Sequence, residues 1–169
     1  MTLKRFKDMQ RAIGAQIADA HQRLKEVRRN ILNRRVLVVD DEPLFLGAVA
    51  SWLESWGYHP LFAKSAEDAL DVLNDCIIWV VLIDLKLPTV DGITLCRRIR
   101  HQCPLITCLA VTGNPAMSRL SELRAAGFED CFIKPFDWNR LRRSLAGVFA
   151  RLEYWAKQND DRDHHQPHG

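Results

Sequence analysis

Four largely apolar runs of this 169-residue chain each end in a polar or charged side chain. An uninterrupted apolar run is typical of a strand buried on both faces of a parallel sheet. The carboxyl ends of such strands meet at one edge, where the functional crevice of an open α/β sheet lies. We therefore predict that the side chains at these ends share one site. The runs VLVV, IIWVVLI, PLITCLAV and CFI are followed by Asp40 and Asp41, Asp84, Thr112 and Lys134.

These residue types favour phosphoryl chemistry. Three carboxylates held together repel one another, so their charged forms need a compensating cation. Mg²⁺ takes one or two carboxylates together with water and phosphate oxygens, and a lysine ammonium adds further positive charge. A hydroxyl and an ammonium beside a carboxylate-bound metal are suited to hold a phosphoryl group in transfer. A carboxylate can also be the nucleophile that accepts this group.

The elements that must position these side chains alternate along the chain. Five strands and five helices in alternation predict a doubly wound parallel α/β fold. We place this domain at residues 34–157 and expect its last helix to extend beyond the compact part. Residues 158–169 are expected to form a disordered polar tail. The predicted strands are 36–39, 58–63, 77–83, 104–111 and 130–133, and the predicted helices are 44–56, 65–74, 93–100, 116–126 and one from residue 137.

Four segments carry a resemblance to a known family. VLVVDDE, VVLIDLKLPTVDG, LAVTG and FIKPF resemble, in order and spacing, the receiver domain of bacterial two-component response regulators over roughly residues 34–150. The resemblance implies a chemotaxis-regulator-like domain with a five-stranded sheet of flavodoxin-like order 2-1-3-4-5. It also implies a phosphoprotein that signals by contact with a downstream protein target. Such a protein is not an enzyme beyond Mg²⁺-dependent self-phosphorylation and autodephosphorylation.

The resemblance assigns roles to the acidic residues. Asp84 is expected to become the aspartyl phosphate, taking its phosphoryl group from a sensor histidine kinase or a histidine phosphotransfer protein. Asp41 and Asp84 are expected to bind Mg²⁺ through their side chains. Lys86 would bind the ion through its backbone carbonyl, and Asp40 would act mainly through a water molecule.

The same resemblance covers the end of the domain, with one departure. Lys134 is expected to neutralise phosphoryl oxygens, Thr112 to hydrogen-bond the phosphate and start the switch, and Pro135 to match a usual cis-proline. Three residues before the lysine, the family has a Tyr or Phe that turns inward when the threonine moves, whereas this chain has Cys131. Either Phe132 takes part, or the switch is transmitted differently. We interpret Cys131 as a small buried hydrophobe rather than a redox sensor.

Two other functions share parts of this site. Phosphatases of the haloacid dehalogenase superfamily also combine a strand-end Asp nucleophile with Thr, Lys and Mg²⁺. They need a second Asp two residues later as a general acid, and here that position holds Lys86, which cannot act as a carboxylic acid. A receiver-fold scaffold that ignores phosphorylation has little support, because the complete set of site residues is present.

The first 35 residues differ from the rest in charge and pattern. They carry ten Lys and Arg against three Asp and Glu, whereas the remainder carries fourteen against eighteen. Between Leu3 and Ile31 the apolar residues follow a heptad repeat, with Gln10 in one slot. A helix with this narrow stripe needs a partner. Residues 1–33 are therefore expected to form a coiled-coil helix that makes a homodimer through residues 3–31, or else to fold back onto their own domain.

Several classes are disfavoured. No apolar run approaches the roughly 18 residues of a membrane span, and the charged N-terminus lacks a signal-peptide core. We therefore expect a cytoplasmic protein with no membrane insertion. The five cysteines form no CxxC pair or zinc-ligand spacing and are interpreted as free thiols. No DNA-binding motif accompanies the basic helix, so nucleic acid is not an expected partner. The sequence leaves no room for an output domain after residue 157, so a stand-alone regulator is expected.

Overall fold

The computed structural model describes residues 3–114, 116 and 119–161. Its five strands form one parallel sheet of order β2-β1-β3-β4-β5, which confirms the predicted doubly wound, flavodoxin-like fold. The elements in chain order are α1 (Leu3–Leu32), β1 (Arg35–Val39), α2 (Pro43–Ser55), β2 (His59–Ala63), α3 (Ala66–Asp75), β3 (Val80–Asp84), α4 (Gly92–Gln102), β4 (Thr107–Thr112), α5 (Leu120–Ala126), β5 (Phe128–Ile133) and α6 (Trp138–Asp161).

The sheet has one hydrophobic core on each face. Successive side chains of a strand point to opposite faces, so each buried strand contributes to both cores. Val81 and Ile83 of β3 pack on the side of α3, α4 and α5. Val80 and Leu82 of the same strand pack on the side of α2 and α6. This double burial explains why the central strands have apolar residues without alternation.

Three predicted element starts are wrong by three or four residues. The strand expected from residue 104 begins at Thr107, where β4 first pairs with β3. The strand expected from residue 77 begins at Val80, which is the first residue to pair with both neighbouring strands, with Val36 of β1 and with Thr107 of β4. The helix expected from residue 116 begins at Leu120, because Arg119 has an extended backbone with φ −61° and ψ 106°.

The end of the chain also differs from expectation. Helix α6 continues to Asp161, so the boundary expected after residue 157 lies inside this helix. The remainder of the predicted polar tail, residues 162–169, lies outside the described residues. No helix in the described ranges has both the length and the apolar character that crossing a membrane requires.

Helix α1 packs against α6 near its own C-terminal end. The two helices are in contact, and Arg34, just after α1, pairs with Glu153 of α6 at 2.9 Å. Ile31 is buried, whereas Ile13 and Ile17 are 47% and 52% exposed. The 30 residues of α1 span about 45 Å at 1.5 Å per residue. The heptad stripe is thus covered by the chain itself at one end and exposed further along the helix.

Gly92 lets the first turn of α4 approach the end of β3. Its N–H donates a hydrogen bond to the carbonyl oxygen of Leu85 at 3.1 Å. A Cβ at position 92 would lie 2.9 Å from the Cα of Leu85 and closer still to the carbonyl oxygen of Asp84. Both obstacles are backbone, which cannot move aside as a flexible side chain can. A residue without a side chain is therefore required beside the strand end.

The Gly92→Ala substitution is expected to lower the free energy of unfolding by about 1–3 kcal/mol, the usual cost of overpacking. Urea denaturation followed by circular dichroism measures this change. Gly47→Ala is the matched control, because a Cβ at this exposed position in α2 would meet no atom within 4 Å. It is expected to stabilise the chain by roughly 0.5–1 kcal/mol. Equal stability of the two variants would contradict the close approach at Gly92.

Candidate functional site

The strand ends bring three of the predicted side chains into direct contact. Asp40 follows β1, Asp84 ends β3 and Lys134 follows β5. The Lys134 Nζ atom lies 2.6 Å from the Oδ2 atom of Asp40 and 3.1 Å from the Oδ2 atom of Asp84. These lengths are typical of charge-assisted hydrogen bonds between an ammonium and two carboxylates. One cation therefore compensates two acids that would otherwise repel each other.

Backbone N–H groups fix the other oxygen of each carboxylate. The N–H of Glu42 donates to the Oδ1 atom of Asp40 at 2.9 Å, and the N–H of Lys86 donates to the Oδ1 atom of Asp84 at 2.8 Å. Asp40 is 1% exposed and Asp84 is 8% exposed. Both acids are thus held in one orientation, and Asp84 keeps some access from outside.

Burial and the neighbouring charges shift the pKa values of Asp40 and Lys134. Burial raises the pKa of Asp40 by more than the hydrogen bonds from Lys134 and from the N–H of Glu42 lower it. Burial alone would lower the pKa of Lys134, but its hydrogen bond to Asp40 and the charges of Asp40 and Asp84 raise it. Lys134 is therefore a permanent cation at neutral pH, available to stabilise negative charge beside Asp84.

The remaining predicted residues line the same cleft without joining the contact with Lys134. The cleft has a volume of about 540 Å³. Asp41 is exposed at its mouth, and Lys86 is also exposed. Thr112 is buried at the end of β4, where its Oγ1 atom accepts a hydrogen bond from the N–H of Asn114 at 3.1 Å. The cleft is lined by Asp41, Glu42, Asp84, Lys86, Leu87, Pro88, Thr112, Gly113, Asn114 and Lys134.

The oxygen donors of the cleft fit a hard cation such as Mg²⁺. Among the described residues no three His, Cys, Asp or Glu side chains converge as a ready ligand set. Mg²⁺ does not need such a set, since it is usually bound through one or two carboxylates and keeps several waters. Asp41, Asp84 and Lys86 line the same open cleft. Two carboxylates and solvent therefore suit this ion.

The ring that the resemblance places at position 131 is not supplied by Phe132. Cys131 packs in the core on the side of α3, α4 and α5. Phe132 packs in the opposite core, on the side of α2 and α6, and is fully buried there. Burial also raises the pKa of the Cys131 thiol, with a further contribution from the charge of Asp130. A buried, protonated thiol behaves as a small apolar side chain rather than as a reactive group.

Sequence reasoning missed two neighbours of Lys134. The Oε2 atom of Glu42 lies 3.7 Å from Nζ, and the Phe45 ring centroid lies 3.8 Å from it. The acidic run at residues 40–42 contained a signal for Glu42. Nothing in the sequence singled out Phe45, because its place depends on how α2 packs beside the chain at Lys134. The Lys134–Pro135 peptide bond is cis, as the resemblance implied.

Comparison with known proteins places these features in a family. Residues 36–146 match the family described as the response regulator receiver domain. The chain is 32% identical over 115 residues to the transcriptional regulatory protein ZraR of Salmonella typhimurium. That match covers 68% of this chain and 26% of the relative, so the chain spans about a quarter of the length of that relative.

Solved structures give the same result. A CheY-like response regulator receiver domain protein from Methanospirillum hungatei superposes with a TM-score of 0.67 at 25% identity, covering 72% of this chain and 97% of that one. The receiver domain of a sensor histidine kinase from Pseudomonas aeruginosa superposes with a TM-score of 0.64 at 26% identity, covering 70% and 98%. In that structure a magnesium ion is coordinated in the active site cleft.

Proposed function

This chain belongs to the response regulator receiver domain family, and from that premise we propose that Asp84 accepts a phosphoryl group from a phosphohistidine donor. One observation carries the proposal. The Asp84 carboxylate stands at a strand end on an open cleft, with the Lys134 ammonium 3.1 Å from one of its oxygens. A nucleophile and a fixed cation for the incoming charge are thus adjacent.

The proposed step forms a bond between a carboxylate oxygen of Asp84 and phosphorus. The bond between phosphorus and the donor nitrogen breaks, and its electron pair stays with the imidazole of the donor. With acetyl phosphate the leaving group is acetate. The N–H of Lys86 keeps the Asp84 carboxylate oriented throughout, through its bond to Oδ1. The Lys134 ammonium is placed to meet the oxygens of the transferred group.

Asp41 and Asp84, with the backbone carbonyl of Lys86, are the residues that would hold Mg²⁺, and Asp40 would act through a water molecule. When bound, this ion offsets the charge that accumulates on the phosphoryl oxygens during transfer. The support is the oxygen-donor set of the cleft and the magnesium ion in the cleft of the Pseudomonas receiver. Asp40 is held away from the open cleft by its pairing with Lys134, which suits an indirect role.

Thr112 is the proposed reader of the phosphate. Its hydroxyl accepts a hydrogen bond from the N–H of Asn114 and donates one to the carbonyl oxygen of Asn114 at 3.4 Å. It must give up the second bond to donate to a phosphoryl oxygen on Asp84. Such a change would reorganise the loop that follows β4. Cys131 supplies no ring on the side of α3, α4 and α5. The conformational change that follows phosphorylation would therefore be transmitted by the loop after β4 and by α5.

The partners follow from this chemistry. We propose a sensor histidine kinase or histidine phosphotransfer protein as donor, a downstream protein as target, and a second copy of the chain bound through α1. Support for the dimer is the heptad pattern together with the exposure of Ile13 and Ile17. Turnover is limited to gain and loss of the chain's own phosphoryl group. Para-nitrophenyl phosphate is therefore not hydrolysed, and measurable turnover would favour a phosphatase.

Asp41→Ala is expected to slow phosphorylation by acetyl phosphate about 100-fold or more, because a metal ligand acts on charge in the transition state. Thr112→Ala is expected to slow it by only about five-fold, the effect of one hydrogen bond. Rates measured by intact-protein mass spectrometry test this difference, and Thr112→Ser, which keeps the hydroxyl, is the control. An equal loss of phosphorylation rate in the Asp41 and Thr112 variants would contradict the proposal that Asp41 binds the metal whereas Thr112 mainly hydrogen-bonds the phosphate.

A further inference from the structure

The ammonium of Lys134 has a neighbour of a different kind from its acids. Two of its three N–H bonds go to Asp40 and Asp84, and the oxygen of Glu42 at 3.7 Å is beyond hydrogen-bond length. The face of the Phe45 ring lies 3.8 Å from Nζ, well inside the roughly 6 Å range of cation–π attraction. The Lys134 side chain is only 17% exposed, so little water weakens this attraction.

The Phe45 ring is itself fixed in place. It stands in the first turn of α2 and packs edge-on against Phe136, with ring centroids 6.2 Å apart. It also stacks on Trp138, with centroids 6.4 Å apart and planes 21° apart. Phe136 and Trp138 follow Lys134 in the chain, so the ring connects α2 to the segment that carries the lysine. A ring held from two sides is a rigid support for the ammonium.

A neutral ring does something that another carboxylate could not. The Lys134 ammonium must be held near Asp84, yet it must also be free to attract the oxygens of an incoming phosphoryl group. A further acid beside Nζ would repel that group and compete for the same proton donors. The quadrupole of the ring attracts the cation without adding net charge. Phe45 thus holds the lysine in place while leaving its positive charge available.

We propose that Phe45 is a positioning residue for phosphoryl transfer, acting through Lys134 and contacting neither the phosphoryl group nor Asp84. This inference rests on the proposed phosphorylation of Asp84. Because Lys134 contacts the face of the Phe45 ring, the role of Phe45 requires an aromatic ring and not merely an apolar side chain of similar volume. A row of rings continues from Phe45 through Trp138 to Trp52, whose centroid lies 5.8 Å from that of Trp138. Trp52 therefore belongs to the same packing but stands one step further from the ammonium.

Three variants separate the ring face from its volume and from general packing. Phe45→Leu keeps an apolar side chain and loses the ring face. Phe45→Tyr keeps the face, and Phe45 borders a cleft of about 350 Å³. Trp52→Leu disturbs the same row of rings at its exposed end, since Trp52 is 43% exposed. Leu44→Ala, at a neighbouring position that is 84% exposed, is the control for the helix turn.

The experiment measures the rate at which each full-length variant gains a phosphoryl group from acetyl phosphate with Mg²⁺, alongside its thermal unfolding. Phe45→Leu is expected to be slower than wild type by roughly two- to thirty-fold. Phe45→Tyr, Trp52→Leu and Leu44→Ala are expected to stay within about two-fold of wild type, even where Trp52→Leu unfolds at a lower temperature than wild type. A slow Phe45→Leu variant that unfolds at no lower a temperature than Trp52→Leu is the result that a purely structural role would not give.

The outcomes are distinct for the two proposals. A wild-type rate in Phe45→Leu would overturn the role of Phe45. So would a slow Phe45→Tyr variant, because volume or packing would then be the requirement. A slow Trp52→Leu variant would overturn it too, because the rate would then depend on packing along the row of rings rather than on the ring face beside Lys134. No phosphoryl gain by the wild-type chain, or gain at a residue other than Asp84, would instead overturn the proposed function.

Discussion

Asp84→Asn is expected to take up no phosphoryl group under conditions in which the wild-type chain gains one. The amide has nearly the shape of the carboxylate and can still accept the hydrogen bond from the N–H of Lys86, so the fold is preserved. It is not an effective nucleophile, because its oxygen carries no full negative charge. Incubation with acetyl phosphate and Mg²⁺, followed by intact-protein mass spectrometry, measures the gain directly.

Asp91→Asn is the matched control for this variant. Asp91 caps the N-terminus of α4 near the cleft, and its side chain accepts a hydrogen bond from the N–H of Thr94 at 2.8 Å. Asparagine is an equally good cap, so this variant should gain the phosphoryl group at the wild-type rate. Equal labelling of Asp84→Asn and wild type would show that another residue is the acceptor.

The strand ends were predictable from sequence because each apolar run is followed directly by a polar or charged residue. Runs without alternation predicted central strands, and parallel strands must align their carboxyl ends. Asp40, Asp84 and Lys134 could therefore be placed together from the sequence alone. Which of the acids pairs with Lys134 was harder to predict. Asp40 and Asp41 are adjacent in sequence, yet only Asp40 turns inward to Lys134 while Asp41 faces the open cleft.

What could not be predicted depends on packing between distant segments. The position of the Phe45 ring is set by Phe136 and Trp138, which are about 90 residues away in the chain. The start of β3 at Val80 is where pairing with both β1 and β4 begins, since a strand needs partners for its hydrogen bonds. The substitution at Cys131 was visible in the sequence. Phe132 faces the other core because successive side chains of β5 point to opposite faces of the sheet.

Helix α1 was likewise predictable only in part. The heptad pattern correctly predicted one helix, which the structure describes from Leu3 to Leu32. It could not show that α6 would extend far enough to reach α1. Ile31 is buried and Leu24 and Val27 are partly buried where the two helices meet, while Ile13 and Ile17 stay exposed. Folding back and self-association are therefore compatible, each using a different part of the stripe.

Ile13→Asp combined with Ile17→Asp is expected to convert the proposed dimer to a monomer. Each helix then places two carboxylates in the apolar seam, and burying them unpaired costs several kcal/mol. Both positions are about half exposed in the single chain, so its fold should be unaffected. Size-exclusion chromatography with light scattering measures the mass. Leu105→Asp, at an apolar residue that is 71% exposed elsewhere, is the control and should remain a dimer.

The salt dependence of the dimer is a second part of this prediction. In the sequence, the positions that flank the heptad stripe include the basic residues Lys7 and Arg23, so like charges would face one another across the proposed dimer interface. Arg23 has Asp19 of its own helix at 2.9 Å, which reduces this repulsion without removing it. Added salt screens the remainder, so the wild-type dimer should tighten as ionic strength rises. Weakening with salt would indicate an interface of opposite charges instead.

Val27→Asp shows how far along α1 the second copy reaches. Val27 lies in the part of the helix that contacts α6, so a carboxylate there is expected to lower the stability of the chain more than its self-association. If Val27→Asp dissociates the dimer as completely as the double variant, the seam continues through residue 27 and α6 must move aside. If the double variant stays dimeric and takes up phosphate normally, the interface lies on the receiver domain.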